Sequence, residues 1–403
     1  MGRPRILQIH NDYVQPGGET RSVGRIRGWL GEEFDIELAG YESADWAGAG
    51  APSRWQQALR MMGNRRVADE LAARQGEWGA EAWLVHNLYP VVSPLVLPTA
   101  RKLGVPVIHY VHNFRPMAVT GWAGRPPELR HRWRQHAREV WAASWQGSRL
   151  RTFWHALVLE RAHLCGWYRG VAHWVAISDA MRAHWMEAGV PGDKVSVLRH
   201  AWEGGAGGWP EGQDGDYYLY LGRLEEAKGL GELMGAWRIL GQGGGVAPRL
   251  VIAGEGLMRG EVERLAGGQE GIDYVGQVDG LDKDRLLAGC RGVLVPSAWP
   301  EPLGMVVYEG WHHGKLVVAA RSGGLAELIG AGDERGLGHP PCDAAALAAA
   351  VLAAEALGLE GRKQRAEAGR RWLLAEASVA GWRMGFRAIW DKVAGAGAVG
   401  GER

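Results

Sequence analysis

The stretch that decides the fold runs from Pro296 to Leu328, PSAWPEPLGMVVYEGWHHGKLVVAARSGGLAEL. Glu301 and Glu309 stand in it with seven residues between them. A Pro-Leu-Gly turn follows the first glutamate, and an apolar, helix-like run leads to the second. A short apolar strand, Leu316 to Ala320, comes next, then a Ser-Gly-Gly turn and Glu327. The segment reads as loop, helix, strand, loop, helix, with carboxylates and glycines at the junctions. In open parallel sheets, ligands sit at such junctions, outside the strand C-termini.

The same alternation extends outward. Ile6 to His10 reads as a strand, followed by a turn containing Pro16-Gly17-Gly18 and a helical pattern from Glu19 to Leu30. Strand, glycine turn, helix can present bare backbone N–H groups to an anion; a glycine-rich turn without a ligand has the same sequence. Further strands are expected at Phe34–Ala39, Ala82–His86, Val105–Val111, Val171–Ser178 and Val195–Leu198. A second set covers Tyr217–Leu221, Leu250–Ala253, Asp273–Val275 and Gly292–Val295. Strands alternating with helices predict an α/β fold of parallel sheets flanked by helices. At 403 residues the chain exceeds one compact core, so two domains are expected. Residues 1–202 form the first and 217–379 the second, with 203–216, rich in Gly, Pro and acids, as the linker. Residues 41–65 show no period. From Asp343 an Ala-rich helix is expected, then one helix over roughly 360–390 and a disordered Gly/Ala tail.

Composition excludes several classes. A net charge of +1 argues against a general nucleic-acid binder. The three cysteines, Cys165, Cys290 and Cys342, form no CxxC pair and suggest neither zinc nor a disulfide framework. No apolar run approaches the ~20 residues of a bilayer span. The N-terminus enters a strand directly from Arg5, without a signal-peptide apolar region, and Ile6 breaks the myristoylation pattern. A cytoplasmic location is expected. The charge is unevenly spread: Arg115 to Arg182 holds eleven arginines, no lysine and four acids. Eight tryptophans interleave with them between residues 115 and 185. Three readings fit: a basic-aromatic surface on anionic lipid, single-stranded nucleic-acid stacking, or helices with tryptophans in the core and arginines in water.

Candidate site residues lie at strand ends. His109 and His112 have metal-compatible spacing for a helix, but on a strand they point to opposite faces, so a metal site is not expected. A neutral His112 hydrogen-bonded to a ligand hydroxyl is the sharper reading. Arg223 and Lys228, in the loop after Tyr217–Leu221, can converge on one diphosphate, although the loop lacks the Gly-Lys-Ser/Thr ending of a P-loop. Gly254-Glu255-Gly256 is a tight turn whose spacing is GxGxxxG, so no dinucleotide fingerprint is assigned. Two Asp-x-Asp triplets, Asp214/Asp216 and Asp282/Asp284, read as surface.

In order, these pieces resemble the retaining family-4 glycosyltransferases of GT-B architecture, the glycosyl transferases of group 1. The resemblance rests on Gly17-Gly18, Val111-His112-Asn113, Ala176-Ile177-Ser178, Gly222-Arg223 with Lys228-Gly229, and Ala253-Gly254-Glu255-Gly256. Glu301-x7-Glu309 followed by Gly323-Gly324 and Glu327 completes it. It implies two facing Rossmann-like domains, with the last helix, about 380–392, crossing back to the first. It implies a diphosphate grip by Arg223 and Lys228, ribose contacts from Glu309 and sugar contacts from Glu301. Backbone amides at Leu303, Gly304 and Met305 would lie beside Glu301. Gly17, Gly18, Gly222, Gly254 and Gly256 would border the donor, and His112 the transferred sugar.

The implied reaction moves a sugar from a UDP- or GDP-type donor to a glycan or lipid-linked acceptor with retention, as in cell-surface polysaccharide or glycolipid synthesis. No required metal or other cofactor is implied. Partners would be the donor, the acceptor and, through residues 115–185, the inner face of an anionic membrane, with no nucleic acid. Glu301 and Glu309 would not be a hydrolase acid/base pair. The alternatives are a nucleotide-sugar epimerase of the same fold, a phosphorylase, or a catalytically silent membrane-surface module. Three places depart from the family pattern: Arg199-His200-Ala201 where Asn-Gly is frequent, Leu316 where proline is common, and Trp311-His312-His313 where small residues are usual.

Overall fold

The computed structural model describes residues 2–13, 18–48, 50–120, 132–204, 215–242 and 247–400, with side chains through residue 394. Gly17, Asp214, Trp122 and most of the 203–216 segment lie outside the described residues. Two six-stranded, all-parallel sheets carry the fold. The first joins β1 (Arg5–Asp12), β2 (Asp35–Glu42), β3 (Ala82–Val85), β4 (Val107–Tyr110), β5 (His173–Ala176) and β6 (Val195–Val197) in the order β2-β1-β3-β4-β5-β6. The second joins β7 (Tyr217–Leu221), β8 (Arg249–Ala253), β9 (Ile272–Gly276), β10 (Gly292–Val295), β11 (Leu316–Ala320) and β12 (Leu337–His339) in the order β12-β11-β10-β7-β8-β9. Each order reverses once, between β1 and β3 in the first and between β7 and β10 in the second. Ligand crevices open at such reversals.

The central strands are runs of Val, Ile, Leu and Ala because helices cover both faces. Trp83, Tyr110 and Val175 are buried in the first core, and Leu219, Leu250 and Val318 in the second. Strand β12 was missed because Leu337-Gly338-His339 holds one apolar side chain and no β-branched residue, unlike the equally short β6. Residues 41–65 contain α2 (Arg54–Met62), capped by a reciprocal Ser53–Gln56 box. Its apolar residues Trp55 and Leu59 face solvent, so no inward stripe marks it in the sequence.

The single helix expected over 360–390 is two, α14 (Gly358–Glu376) and α15 (Val379–Gly400). The Gly/Ala tail continues α15 through Gly400 instead of being disordered. At the break, Trp202 N–H donates to the Ala377 carbonyl at 2.7 Å, and Trp202 bridges Ser378 in parallel. The passage out of the first sheet and the return from the second therefore run side by side. Beyond the break, α15 packs on the first core. Trp382 lies 5.1 Å from Trp29, and Phe34 packs between Phe386 (5.7 Å) and Trp390 (4.9 Å). Arg383 Nε donates to the Trp29 carbonyl at 3.0 Å.

The tryptophan-rich segment divides. Trp174 and Trp185 are buried and stack at 4.7 Å, while Trp145, Trp154 and Trp167 pack partly against the core. Trp133 and Trp141, on α5 (Arg132–Trp141), face solvent. Among the described residues, the core reading thus accounts for most of these rings, and two remain at the surface.

Candidate active site

At the β7/β10 reversal, the loop after β7 supplies Lys228 and the loop after β10 supplies Glu301. Lys228 Nζ donates to both carboxylate oxygens of Glu301, at 3.0 and 2.7 Å. Ser297 Oγ (3.1 Å) and Trp299 Nε1 (2.9 Å) donate to Glu301 Oε2, and the ammonium sits 5.0 Å from the Trp299 ring centroid. Four donated hydrogen bonds and an aromatic face fix the carboxylate. Glu301 is held from the backbone too: its carbonyl accepts from Gly324 N–H at 2.7 Å. Gly323, at φ +57°, comes so near that a Cβ there would collide with the Glu301 backbone. This is the physical need behind the Ser-Gly-Gly turn.

Gly304, at φ +96°, precedes α11 (Met305–His312), so the helix N-terminus opens beside Glu301. Leu303 is buried and Met305 half-buried beside it. Glu309, one turn into α11, accepts from Lys283 Nζ at 2.8 Å; Lys283 lies on α10 (Gly280–Gly289). Sequence reasoning missed Lys283, since nothing near residue 283 marks it as facing Glu309. Asp282 is exposed on the same helix and pairs with Arg285.

Arg223 does not converge with Lys228. Its guanidinium is exposed and donates to Glu225 at 2.9 Å. The glycines of the second domain have close-packing reasons. A Cβ at Gly254 (φ +144°) would meet the Gly222 carbonyl, and one at Gly256 the Leu224 backbone. The two loops are laced by Gly222 N–H to Ala253 O (3.1 Å) and Leu224 N–H to Glu255 O (2.8 Å).

In the first domain, Gly18 opens α1 (Gly18–Leu30), with open space where a Cβ would stand. His112 lies past the end of β4, so strand alternation does not separate it from His109. Both turn to His86: His109 Nε2 meets the His86 carbonyl at 3.1 Å, and His112 Nε2 meets His86 Nδ1 at 2.9 Å. His112 Nδ1 lies 3.3 Å from His200 Nε2, and Gln8 closes the other end of the row on His86 at 3.0 Å. Burial first, then the neighbouring histidines, drives His112 and His86 well below the usual imidazole range. Burial pushes His200 down to about 3. The row is neutral, and both His112 nitrogens are engaged within it.

Glu19 was not singled out from sequence. Its carboxylate accepts from Tyr13 Oη and Asn113 Nδ2, both at 2.8 Å, and lines one cavity with His112, Asn113 and Arg115. Burial raises its pKa. Glu327 and Arg199 join the two domains. Glu327, on α12 (Gly324–Ile329), accepts from Asp179 N–H at 3.1 Å and from Ala180 N–H, at the start of α7 (Asp179–Glu187). Arg199 donates to Glu327 at 2.8 Å and also pairs with Asp179. The departures from the family pattern at 199–200 are therefore a cross-domain ion pair and one member of the histidine row.

Residues 208–372 match the family described as glycosyl transferases group 1. The group 1 segment contains Arg223, Lys228, Glu301, Glu309 and Glu327. None of the curated proteins searched matches the chain. Among solved structures, sucrose-phosphate synthase from Thermosynechococcus elongatus superposes with a TM-score of 0.70 at 15% identity, over 98% of this chain and 100% of that one. The Anabaena protein HepE, crystallised with UDP and glucose, gives 0.66 at 15% identity over 96% and 100%. A trehalose 6-phosphate synthase from Burkholderia multivorans gives 0.66 at 16% over 100% and 99%. The shared fold is GT-B: two parallel sheets, each flanked by helices.

Proposed function

We propose that the chain is a retaining glycosyltransferase. It moves a sugar from a UDP- or GDP-type donor to a glycan or lipid-linked acceptor. One observation carries the reading: Lys228 and Glu301 meet at the topological reversal of the second sheet, inside the group 1 segment. Domain limits near residues 202 and 217 go with it, as does a cytoplasmic site of action, peripheral to the membrane.

The chemistry follows from charge. Breaking a glycosyl–phosphate bond builds negative charge on the leaving diphosphate. Lys228 and the α11 N-terminus supply positive charge there, and losing one such donor costs roughly 3–4 kcal/mol. Glu301 holds Lys228 and Glu309 holds Lys283. In the proposed reaction, donor phosphates replace Glu301 on Lys228, and sugar and ribose hydroxyls occupy Glu301 and Glu309. Arg223, exposed on its loop, swings in to the same diphosphate. Neutral His112 borders the transferred sugar, and the half-buried Glu19 lines the same cavity. The reaction as proposed requires no resident metal.

The test is release of nucleoside diphosphate from a panel of nucleotide-sugars in the presence of acceptor sugars, with the product anomer read by NMR. Donor-dependent release with a retained anomer supports the reading. Conversion of a nucleotide-sugar without acceptor would instead identify an epimerase, and no turnover of any donor would reject the proposal.

A further inference from the structure

The outer side of the first domain is apolar where a soluble helix is normally charged. α6 (Arg149–Leu164) buries Thr152, His155, Ala156, Val158, Leu159 and Ala162. Its opposite side carries Leu150, Phe153, Leu157 and Leu164, spaced by three, four and seven, which helical geometry sets on one stripe. Leu150 is 77% and Leu164 81% exposed. α2 packs beside α6, with Trp154 Nε1 donating to the Ala58 carbonyl at 2.9 Å and Arg161 to the Met62 carbonyl at 2.6 Å. α2 adds Trp55, 68% exposed, and Leu59 one turn on. On the other flank α5 adds Trp133 and Trp141, the latter 76% exposed. An apolar surface shared by three packed helices is a docking face.

Its charge selects the partner. Residues 132–164 contain six arginines and two acids, and neither acid faces out freely. Glu139 is buried and accepts from the Val119 and Thr120 N–H groups; Glu160 is held by Arg132 and His136. Arginines lie over the exposed rings: Arg149 is 4.7 Å from the Trp141 centroid and Arg134 5.2 Å from that of Trp133. Apolar side chains ringed by arginine-capped tryptophans match a lipid interface, where the apolar part enters the acyl boundary and guanidinium groups meet phosphates.

We infer that the face formed by α2, α5 and α6 rests on an anionic bilayer, with the Leu150–Phe153–Leu157–Leu164 stripe inserted. The placement suits a lipid-borne acceptor. α6 leads into β5 through a short turn, so it runs against the strands, and its Arg149 end lies at the strand C-termini that border the cleft. From the α5–α6 loop, Trp145 reaches Arg115 (5.1 Å), which covers Tyr13 (4.5 Å) beside Glu19. The inference extends the lipid-linked reading of the acceptor. Its test needs no turnover, so its failure leaves the transfer reaction untouched.

Flotation of the full chain with phosphatidylcholine vesicles, with and without phosphatidylglycerol, tests it. The expected result is flotation with the anionic vesicles, weakened at least threefold by raised salt. Leu150→Glu with Phe153→Glu should cut bound protein at least tenfold at unchanged circular dichroism, and Trp55→Ala, on the neighbouring helix, should cut it severalfold. Wild type left at the bottom of the gradient, or the double variant floating like wild type, would overturn the inference. So would an ultracentrifuge dimer that the double variant dissolves, since that result assigns the face to a second copy.

Discussion

The Trp311 indole fills the space a side chain at residue 369 would need. Trp311 is buried on α11, donates to the Arg335 carbonyl at 2.9 Å, and lies against α14 where Gly369 has no Cβ. Bulk at one position is matched by its absence at the other. Gly369→Ala should therefore behave oppositely in two backgrounds. In wild type, overpacking of roughly 1–3 kcal/mol outweighs the ~1 kcal/mol helix-propensity gain, so urea unfolding should show a net loss. With Trp311→Leu in place, the same change should stabilise. A stabilising effect in wild type would remove the packing account.

Lys228 is the most direct test of the site. Lys228→Ala should lower kcat roughly 10²–10³-fold, as for other removed charge-stabilising donors. Glu301→Gln keeps the shape but weakens the ion pair, and should raise the donor KM. Initial rates over a donor series separate the two effects. Unchanged rates in Lys228→Ala would remove the diphosphate grip.

His155 makes stability depend on pH. Both ring nitrogens lack hydrogen-bond partners, the ring packs between Tyr89 and Trp145, and burial pushes its pKa down to about 3. With the folded value below the unfolded ~6.5, the unfolded chain binds the extra proton. Stability is therefore full above about 6.5 and lost as pH falls toward 3. At pH 5 this one residue accounts for about 2 kcal/mol. His155→Phe should match wild type near pH 8 and exceed it by about that amount at pH 5. Parallel pH–stability curves for the two proteins would contradict the argument.

Arg199 and Glu327 should set how closely the two domains sit. Each is about four-fifths buried, and Glu327 also caps α7. Arg199→Ala should enlarge the radius of gyration in solution scattering, and Glu327→Gln should add little in that background. A coupling of roughly 1–3 kcal/mol is expected from the double-mutant cycle. Additive effects would show that the two residues act independently.

Much of this was legible in the chain because β/α alternation is a local pattern. Apolar runs such as Leu316 to Ala320, together with the glycine turns, mark eleven of the twelve strands among the described residues without knowledge of their neighbours. The site was legible in part. Lys228 and Glu301 are separated by 73 residues, and their turn chemistry located each without disclosing that they bond. Partners chosen by tertiary packing carry no local mark: Lys283 for Glu309, His200 for His112, Gly369 for Trp311. Composition alone left three readings of the Arg/Trp segment open, since ring burial depends on which helix face meets the sheet. The outward stripe of α6 was hidden for the same reason, because both faces of that helix are apolar.

The adjacency of Trp202 and Ser378 has a consequence for synthesis. Trp29 and Phe34 are covered by Trp382, Phe386 and Trp390, which emerge from the ribosome some 350 residues later. At about 5–20 residues per second, that face stays open for roughly 20–70 s. The first domain is therefore the last to be finished, and a chain that stops before residue 379 releases it uncovered.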